Sequence, residues 1–101
     1  MSYVTTVRAR LRDPDQAAAM QHHNEIVGRL RPRGEPFGGV GHATFAKADD
    51  PREFLAMDRW ESLEGLQQFM GDPSVQQEIA SLFDGPPEVT IWAVRDGWTT
   101  Y

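Results

Sequence analysis

The sequence contains no cysteine. Without a thiol, the chain can form no disulfide, no thiolate metal site and no cysteine nucleophile. It also lacks any apolar run near the roughly 18 residues of a membrane-spanning helix. Its first residues lead straight into a strand-like pattern, with no charged region followed by an apolar stretch as in a signal peptide. We therefore expect a soluble protein in the cytoplasm.

Positive charge is scarce as well. Ten Lys and Arg stand against fifteen Asp and Glu, which gives a formal net charge of −5. Nucleic acids and anionic membranes bind cationic surfaces, so the composition argues against both as partners. A local arginine cluster at Arg29, Arg31 and Arg33 is more typical of a helix end, where cations offset the helix dipole.

The chain of 101 residues has room for one core, and we expect one domain over residues 1–101. Alternating apolar positions predict strands, apolar positions three and four apart predict helices, and Pro and Gly mark the turns between them. The predicted elements are a strand over 3–11, a helix over 13–30, strands over 38–47 and 53–61, two helical pieces over 62–70 and 72–83, and a strand over 88–95.

This order is the β-α-β-β-α-β arrangement of a ferredoxin-like α+β fold. Such a fold has an antiparallel sheet with its helices on one face, which leaves the other face in need of cover. We assign Trp60 and Trp92 to that bare face, where two indoles would form an exposed apolar patch. A second copy packed sheet to sheet would cover them, so we expect a homodimeric α/β barrel that encloses a pocket.

The segment 54–69, an apolar strand that ends in Trp60-Glu61 before an acidic helix start, resembles the antibiotic biosynthesis monooxygenase family. The resemblance implies a homodimeric barrel that often acts without metal or flavin on small aromatic or polyketide-like molecules. Many members carry a histidine where this chain has Phe69. Haem-degrading relatives carry a later histidine where this chain has Gln77, Glu78 and Ile79, which disfavours haem. No cofactor and no metal are expected.

Polar and aromatic side chains dominate the strand faces that we assign to the barrel interior, as is typical of a ligand pocket. Those residues are Thr6, Arg8, His42, Thr44, Phe54, Asp58, Trp60, Thr90 and Trp92. Arg8 would bind a phenolate or developing oxyanion, or else pair with an acid. Trp60 and Trp92 would stack on a planar ligand or pack the dimer.

His42 and Asp58 are the candidate catalytic residues. Partners on one face of a hairpin have sequence numbers of constant sum. A sum of 100 places His42 opposite Asp58, whereas 102 places His42 opposite Trp60. In the first register the carboxylate would orient the imidazole as a general base. Alternatively, the two side chains have no catalytic role and only form a hydrogen bond with each other, or they lie at a solvated edge of the sheet.

Two further histidines, His22 and His23, are adjacent on the first helix and point about 100° apart. They cannot chelate one ion together, and the pattern predicts a core position for His23 and an exposed one for His22.

Three functions fit these residues. The first is a cofactor-independent monooxygenase, in which a base removes a proton and the substrate anion reduces oxygen. The second is a cyclase or isomerase that uses the same base without oxygen. The third is a binding protein for a small aromatic ligand.

Overall fold

The computed structural model describes residues 1–101 and has the predicted order of elements. The elements are β1 (Tyr3–Arg10), α1 (Gln16–Gly34), a 3-10 turn (Glu35–Phe37), β2 (Gly39–Lys47), β3 (Asp50–Trp60), α2 (Leu63–Met70), α3 (Pro73–Ala80) and β4 (Glu88–Ala93). This confirms the ferredoxin-like α+β prediction, with the second helix of the motif split into α2 and α3. None of the helices is both long enough and apolar enough to cross a membrane.

The sheet has the strand order β2-β3-β1-β4, and every neighbouring pair is antiparallel. Because side chains alternate along a strand, each strand gives one set to the helices and one to the opposite side. The helix face receives the odd-numbered residues of β1 and the even-numbered residues of β3. We call the opposite side the open face, since the helices all lie on the other side.

The core lies between the helix face and the helices. Its buried apolar residues are Val7, Leu11, Ala19, Ile26, Leu30, Ala56, Trp60, Leu66, Phe69, Val75, Leu82 and Phe83. Removing such side chains from water is the main favourable term in folding. All the strand residues of this core belong to one face of the sheet, so the open face contributes nothing to it.

The predicted bounds of α1 were wrong at both ends. Its N-cap is Asp15 rather than Asp13, because Asp15 Oδ1 accepts the amide protons of Ala17 at 2.9 Å and Ala18 at 3.3 Å. The helix also continues through Pro32 to Gly34, where a loop was predicted. Proline is unfavourable inside a helix because it lacks an amide proton and crowds the preceding turn. Burial of Leu30 and Gly34 accompanies the extra turn.

A close backbone approach fixes α2 against the 3-10 turn. A Cβ atom on Gly65 would lie 2.0 Å from the carbonyl oxygen of Phe37, which no larger residue could tolerate. Ser62 caps α2 by accepting the amide proton of Gly65 at 3.0 Å. This docking brings Phe69 of α2 against Trp60 at the end of β3, with ring centroids 5.4 Å apart.

The hairpin of β2 and β3 has the register in which paired numbers sum to 100, so His42 lies opposite Asp58 and Thr44 opposite Ala56. The glycine-rich start of β2 is irregular. Between the pairs Gly39–Trp60 and Gly41–Arg59, β2 carries one extra residue, which is a β-bulge.

Our assignment of faces was wrong for part of the sheet. Trp60 lies on the helix face and is 4% exposed, not on the bare face. Trp92 does lie on the open face, since it pairs with Val4 of β1, and it is 54% exposed. Alternation in the sequence shows that a segment is a strand, but it does not show whether the odd- or the even-numbered residues face the helices. For β2 and β3 the predicted face was the wrong one.

Candidate active site

A pocket of about 470 Å³ lies between the helix face of the sheet and the helices. We call it the main pocket. Four aromatic side chains line it: Phe54, Trp60, Phe69 and Phe83. Apolar walls with a few polar groups are the usual composition of a small-molecule site. The charged residues Arg31 and Glu35 also line it, and they form an ion pair with Nε and Oε1 3.1 Å apart.

Trp60 is held firmly in the wall of this pocket. Its Nε1 donates a hydrogen bond of 3.3 Å to Thr5 Oγ1, and Thr5 is fully buried. The bond satisfies two polar groups that would otherwise be costly to bury. The indole is therefore held in one orientation in the lining of the pocket, where it packs against Phe69.

The polar end of the main pocket consists of Asp58 and His42, on neighbouring strands. His42 Nδ1 lies 2.6 Å from Asp58 Oδ1, and the two side chains are 31% and 28% exposed. The hydrogen bond to Asp58 raises the pKa of His42 above its usual value of 6.5, against the opposing effect of desolvation. Asp58 thus makes His42 a stronger base than an isolated imidazole.

His23 of α1 completes a chain of hydrogen-bonded groups. Its Nε2 lies 3.0 Å from His42 Nε2, and its Nδ1 lies 2.9 Å from the side-chain oxygen of Asn24. The two ring centroids are 5.1 Å apart and the planes differ by 18°. Because the centroids are much farther apart than the Nε2 atoms, the rings meet end to end rather than face to face.

The chain of contacts fixes where the protons lie. A carboxylate only accepts hydrogen bonds, so His42 carries its proton on Nδ1, facing Asp58. Neutral His42 then has its lone pair on Nε2. His23 Nδ1 faces Asn24 Oδ1, which also only accepts, so that nitrogen carries a proton as well. Two unprotonated nitrogens 3.0 Å apart would repel, so one further proton lies between the two Nε2 atoms and is shared by the rings.

The structure divides the predicted site residues between the two faces of the sheet. The main pocket brings together His42, Asp58, Phe54 and Trp60. Thr44 lies next to it, in a second hollow of about 220 Å³ that His23 and Phe54 also line. We call this the second hollow.

Three predicted substrate-binding residues lie on the opposite side of the sheet from both cavities. Thr6 and Arg8 are even-numbered residues of β1, and Trp92 Nε1 donates to Thr6 Oγ1 at 2.9 Å. All three therefore lie on the open face, together with Thr90, which pairs with Thr6. The prediction that one pocket holds the whole set was wrong, because it joined residues from opposite sides of the sheet.

Sequence reasoning missed the role of His23 in this site. The helical pattern did place His23 on the side of α1 that faces the sheet, which the structure confirms. The sequence did not show that His42 of β2 faces the helices, and only in that orientation can His42 contact a residue of α1. The chain has no group of three or more His, Asp or Glu side chains arranged to hold a metal ion.

No family model matches the chain, and no curated protein is significantly similar to it in sequence. Solved structures do share its fold. A monooxygenase from the gene ActVA-Orf6 of Streptomyces coelicolor, in complex with nanaomycin D, is 19% identical with a TM-score of 0.71, covering 99% of this chain and 93% of that chain. SnoaB of Streptomyces nogalater, a cofactor-independent oxygenase, is 12% identical with a TM-score of 0.68, covering 94% of each chain.

A further solved structure, named antibiotic biosynthesis monooxygenase, is 14% identical with a TM-score of 0.68, covering 94% of this chain and 99% of that chain. At such identities the likeness establishes the fold. The chain therefore has the fold of structures named antibiotic biosynthesis monooxygenases, as the resemblance of segment 54–69 implied. Function has to be argued from the site itself.

Proposed function

We propose that this protein is a small-molecule enzyme, a cofactor-independent monooxygenase that acts on a hydroxylated aromatic or polyketide-like substrate. The observation that carries the proposal is the Asp58–His42 pair in a pocket whose lining is mostly apolar and includes four aromatic side chains. A base of raised pKa beside aromatic walls is suited to removing a proton from a planar, weakly acidic molecule. The oxygenases that share the fold support the reaction class by analogy.

The size and lining of the main pocket support an aromatic substrate. Its volume of about 470 Å³ lies within the range of sites for drug-sized ligands. Trp60 packs against Phe69, with ring centroids 5.4 Å apart, and Phe54 packs against Phe83, with centroids 5.3 Å apart. All four side chains belong to the pocket lining. Flat apolar walls of this kind bury a ring system and leave its hydroxyl groups to meet the polar end.

The first step is proton transfer from the substrate to His42 Nε2. Asp58 holds the opposite nitrogen, Nδ1, and so presents the Nε2 lone pair to the pocket. The imidazolium that forms lies beside the Asp58 carboxylate, which stabilises its positive charge. The substrate is left as a phenolate or enolate whose negative charge spreads over its ring system.

The second step is chemistry of the substrate anion with molecular oxygen. For an anthrone, the ring carbon that has lost one proton gives electrons to O₂, and a carbon–oxygen bond forms to give a peroxide. Loss of the second proton from that carbon and cleavage of the O–O bond leave a carbonyl oxygen on the substrate and release water. One O₂ is consumed for each CH₂ converted to C=O, so the substrate supplies all four electrons.

Oxygen uptake tests the proposal directly. Chelator-treated, metal-free protein would be given 1,8-dihydroxyanthrone, and O₂ consumption would be recorded for the wild type, His42→Ala and the control His22→Ala. We expect uptake by the wild type, a fall of about 10²-fold or more in His42→Ala, and no change in His22→Ala, since His22 lies outside the main pocket.

The opposite outcome would redirect the assignment. If the anthrone binds to the wild type without oxygen uptake, the monooxygenase proposal fails. Turnover to another product that needs His42 would then indicate the cyclase or isomerase, and binding without turnover would indicate a binding protein.

We also propose that the open face packs against a second copy of the chain. This face carries apolar side chains from all four strands, including Val4, Phe45, Met57 and Trp92. Phe45 is 50% exposed in the single chain. Soluble proteins rarely leave a contiguous apolar sheet face open to water, and a twofold sheet-to-sheet contact covers both copies equally.

A further inference from the structure

Both nitrogens of the proposed base already have partners. His42 Nδ1 contacts Asp58 Oδ1 at 2.6 Å, and His42 Nε2 contacts His23 Nε2 at 3.0 Å. The Nε2 atom is the one whose lone pair would accept the substrate's proton. A substrate hydroxyl and the His23 ring therefore compete for one position.

The end-to-end geometry rules out a metal ion in that position. A zinc ion bound to both rings would lie about 2.0–2.1 Å from each nitrogen. Two nitrogens that point at each other across 3.0 Å leave room for a shared proton only. The hydroxyl of a phenol on His42 Nε2 would likewise place one proton between its oxygen and that nitrogen.

His23 also lies where it has space to move. It lines both the main pocket and the second hollow, so its ring is part of the wall between them. Its two other contacts restrain the ring only weakly. One is with Asn24 Oδ1, on an exposed side chain, at 2.9 Å, and the other is with the Phe54 ring, at a centroid distance of 5.9 Å. Rotation of the side chain would take the ring into the second hollow without any shift of α1.

We propose that His23 occupies the place of the substrate hydroxyl on His42 Nε2, and that its ring moves into the second hollow when a phenolic substrate binds. The proposal rests on the proposed function in taking His42 as the base. The ligands it favours carry an acidic hydroxyl, since an oxygen that shares a proton with His42 Nε2 can replace the bond that His23 gives up. A ligand of the same shape without that proton must leave His23 in place.

Calorimetric binding of two matched ligands, 2-naphthol and 2-methoxynaphthalene, tests this exchange. The ratio of their affinities isolates the hydroxyl, because the apolar contacts of the ring system cancel. His23→Ala removes the competing ring, so we expect the ratio in favour of 2-naphthol to rise about fivefold, the worth of one hydrogen bond. His23→Gln retains an amide donor and should stay near the wild type.

His22→Ala is the control for a histidine lost from the same helix. His22 Nε2 contacts Ser81 Oγ at 3.2 Å and lines neither cavity, so the ratio should not change. An unchanged or lower ratio in His23→Ala overturns the proposal, as does the absence of 2-naphthol binding by that variant.

A second measurement uses the wild type alone, and so does not depend on the folding of a variant. Nitrogen-15 NMR of the histidine rings reports whether the His23–His42 hydrogen bond is present. We expect saturating 2-naphthol to abolish it and 2-methoxynaphthalene to leave it intact. Persistence of the bond with 2-naphthol bound overturns the proposal. A failure of oxygen uptake would refute only the monooxygenase proposal, because neither the affinity ratio nor the NMR measurement depends on turnover.

Discussion

At the scale of single residues, Asp58 controls the basicity of His42. The hydrogen bond to Asp58 raises the pKa of His42 above 6.5, and only the neutral imidazole can take a proton. The pH profile of kcat/KM should therefore rise at a pH above 6.5 in the wild type. In Asp58→Asn the amide oxygen still accepts from Nδ1 but carries no charge, so the rising limb should move to lower pH and the plateau should fall.

Titration of the His42 ring by NMR checks the same change without turnover. Protonated His42 stabilises the folded chain at low pH, and this contribution is lost as the pH rises through its folded pKa. Asp58→Asn should remove that contribution. If the pKa of His42 is the same in Asp58→Asn as in the wild type, a group other than Asp58 raises it.

The sequence predicted which strand residues pair with each other better than it predicted which side of the sheet they face. The hairpin alone limited the partner of His42 to Asp58 or Trp60, because register requires only a constant sum, and the structure has the pairing with Asp58. Which side of the sheet the pair faces depends on contacts with α1, which the strand sequence does not contain. For this reason Trp60 and Arg8 were expected in one pocket, whereas they lie on opposite faces.

At the scale of elements, Asp72 links the start of α3 to the end of α1. Its carboxylate accepts the amide proton of Ser74 at 2.8 Å and contacts Arg33 at 3.2 Å. Loss of this N-cap in Asp72→Ala should lower the free energy of unfolding by about 1 kcal/mol. Asp72→Asn keeps the cap and loses only an exposed ion pair, so its loss should be smaller. Urea unfolding at pH 7 measures both.

The bond from the Ser74 amide lowers the pKa of Asp72 below 3.8. The stabilisation by the ionised group is therefore present above pH 3.8 and is lost as the pH falls through the folded pKa, a dependence that Asp72→Asn should lack. Equal losses in the Asn and Ala variants at pH 7 would assign the effect to the charge rather than the cap.

The elements themselves were largely predictable, since periodicity and capping residues are local signals. Their ends were less so. Asp13 and Asp15 are equally good caps by residue type, and only the path of the backbone selects Asp15. Pro32 argues against a helix locally, but packing of Leu30 and Gly34 outweighs that cost.

At the scale of the whole molecule, the proposed dimer depends on the open face. Met57 lies near its centre, between Thr6 of β1 and Ala43 of β2. A lysine there would place a charge in the proposed sheet-to-sheet contact while reaching solvent in a single chain. We expect Met57→Lys to be a monomer at micromolar concentration by light scattering, and the wild type to be a dimer.

Met20→Lys is the matched control, because Met20 is exposed on α1, away from the open face. It should remain a dimer. A monomeric wild type, or a dimeric Met57→Lys, would contradict the proposed assembly. The sequence predicted the need for cover and named Trp60 and Trp92 as its cause. Trp92 does lie on the open face, whereas Phe45 and Met57 take the place of Trp60 there.

The position of His42 on β2 links the lifetime of the site to one edge of the sheet. β2 pairs only with β3, and most of its residues are exposed. Edge segments of this kind detach at a lower free energy than the chain as a whole unfolds. Detachment would carry His42 away from Asp58 and His23 while Val7, Leu66 and Phe83 stay buried elsewhere. On warming, catalysis would then fade before the core melts and return on cooling, so thermal inactivation would report the fraying of one strand.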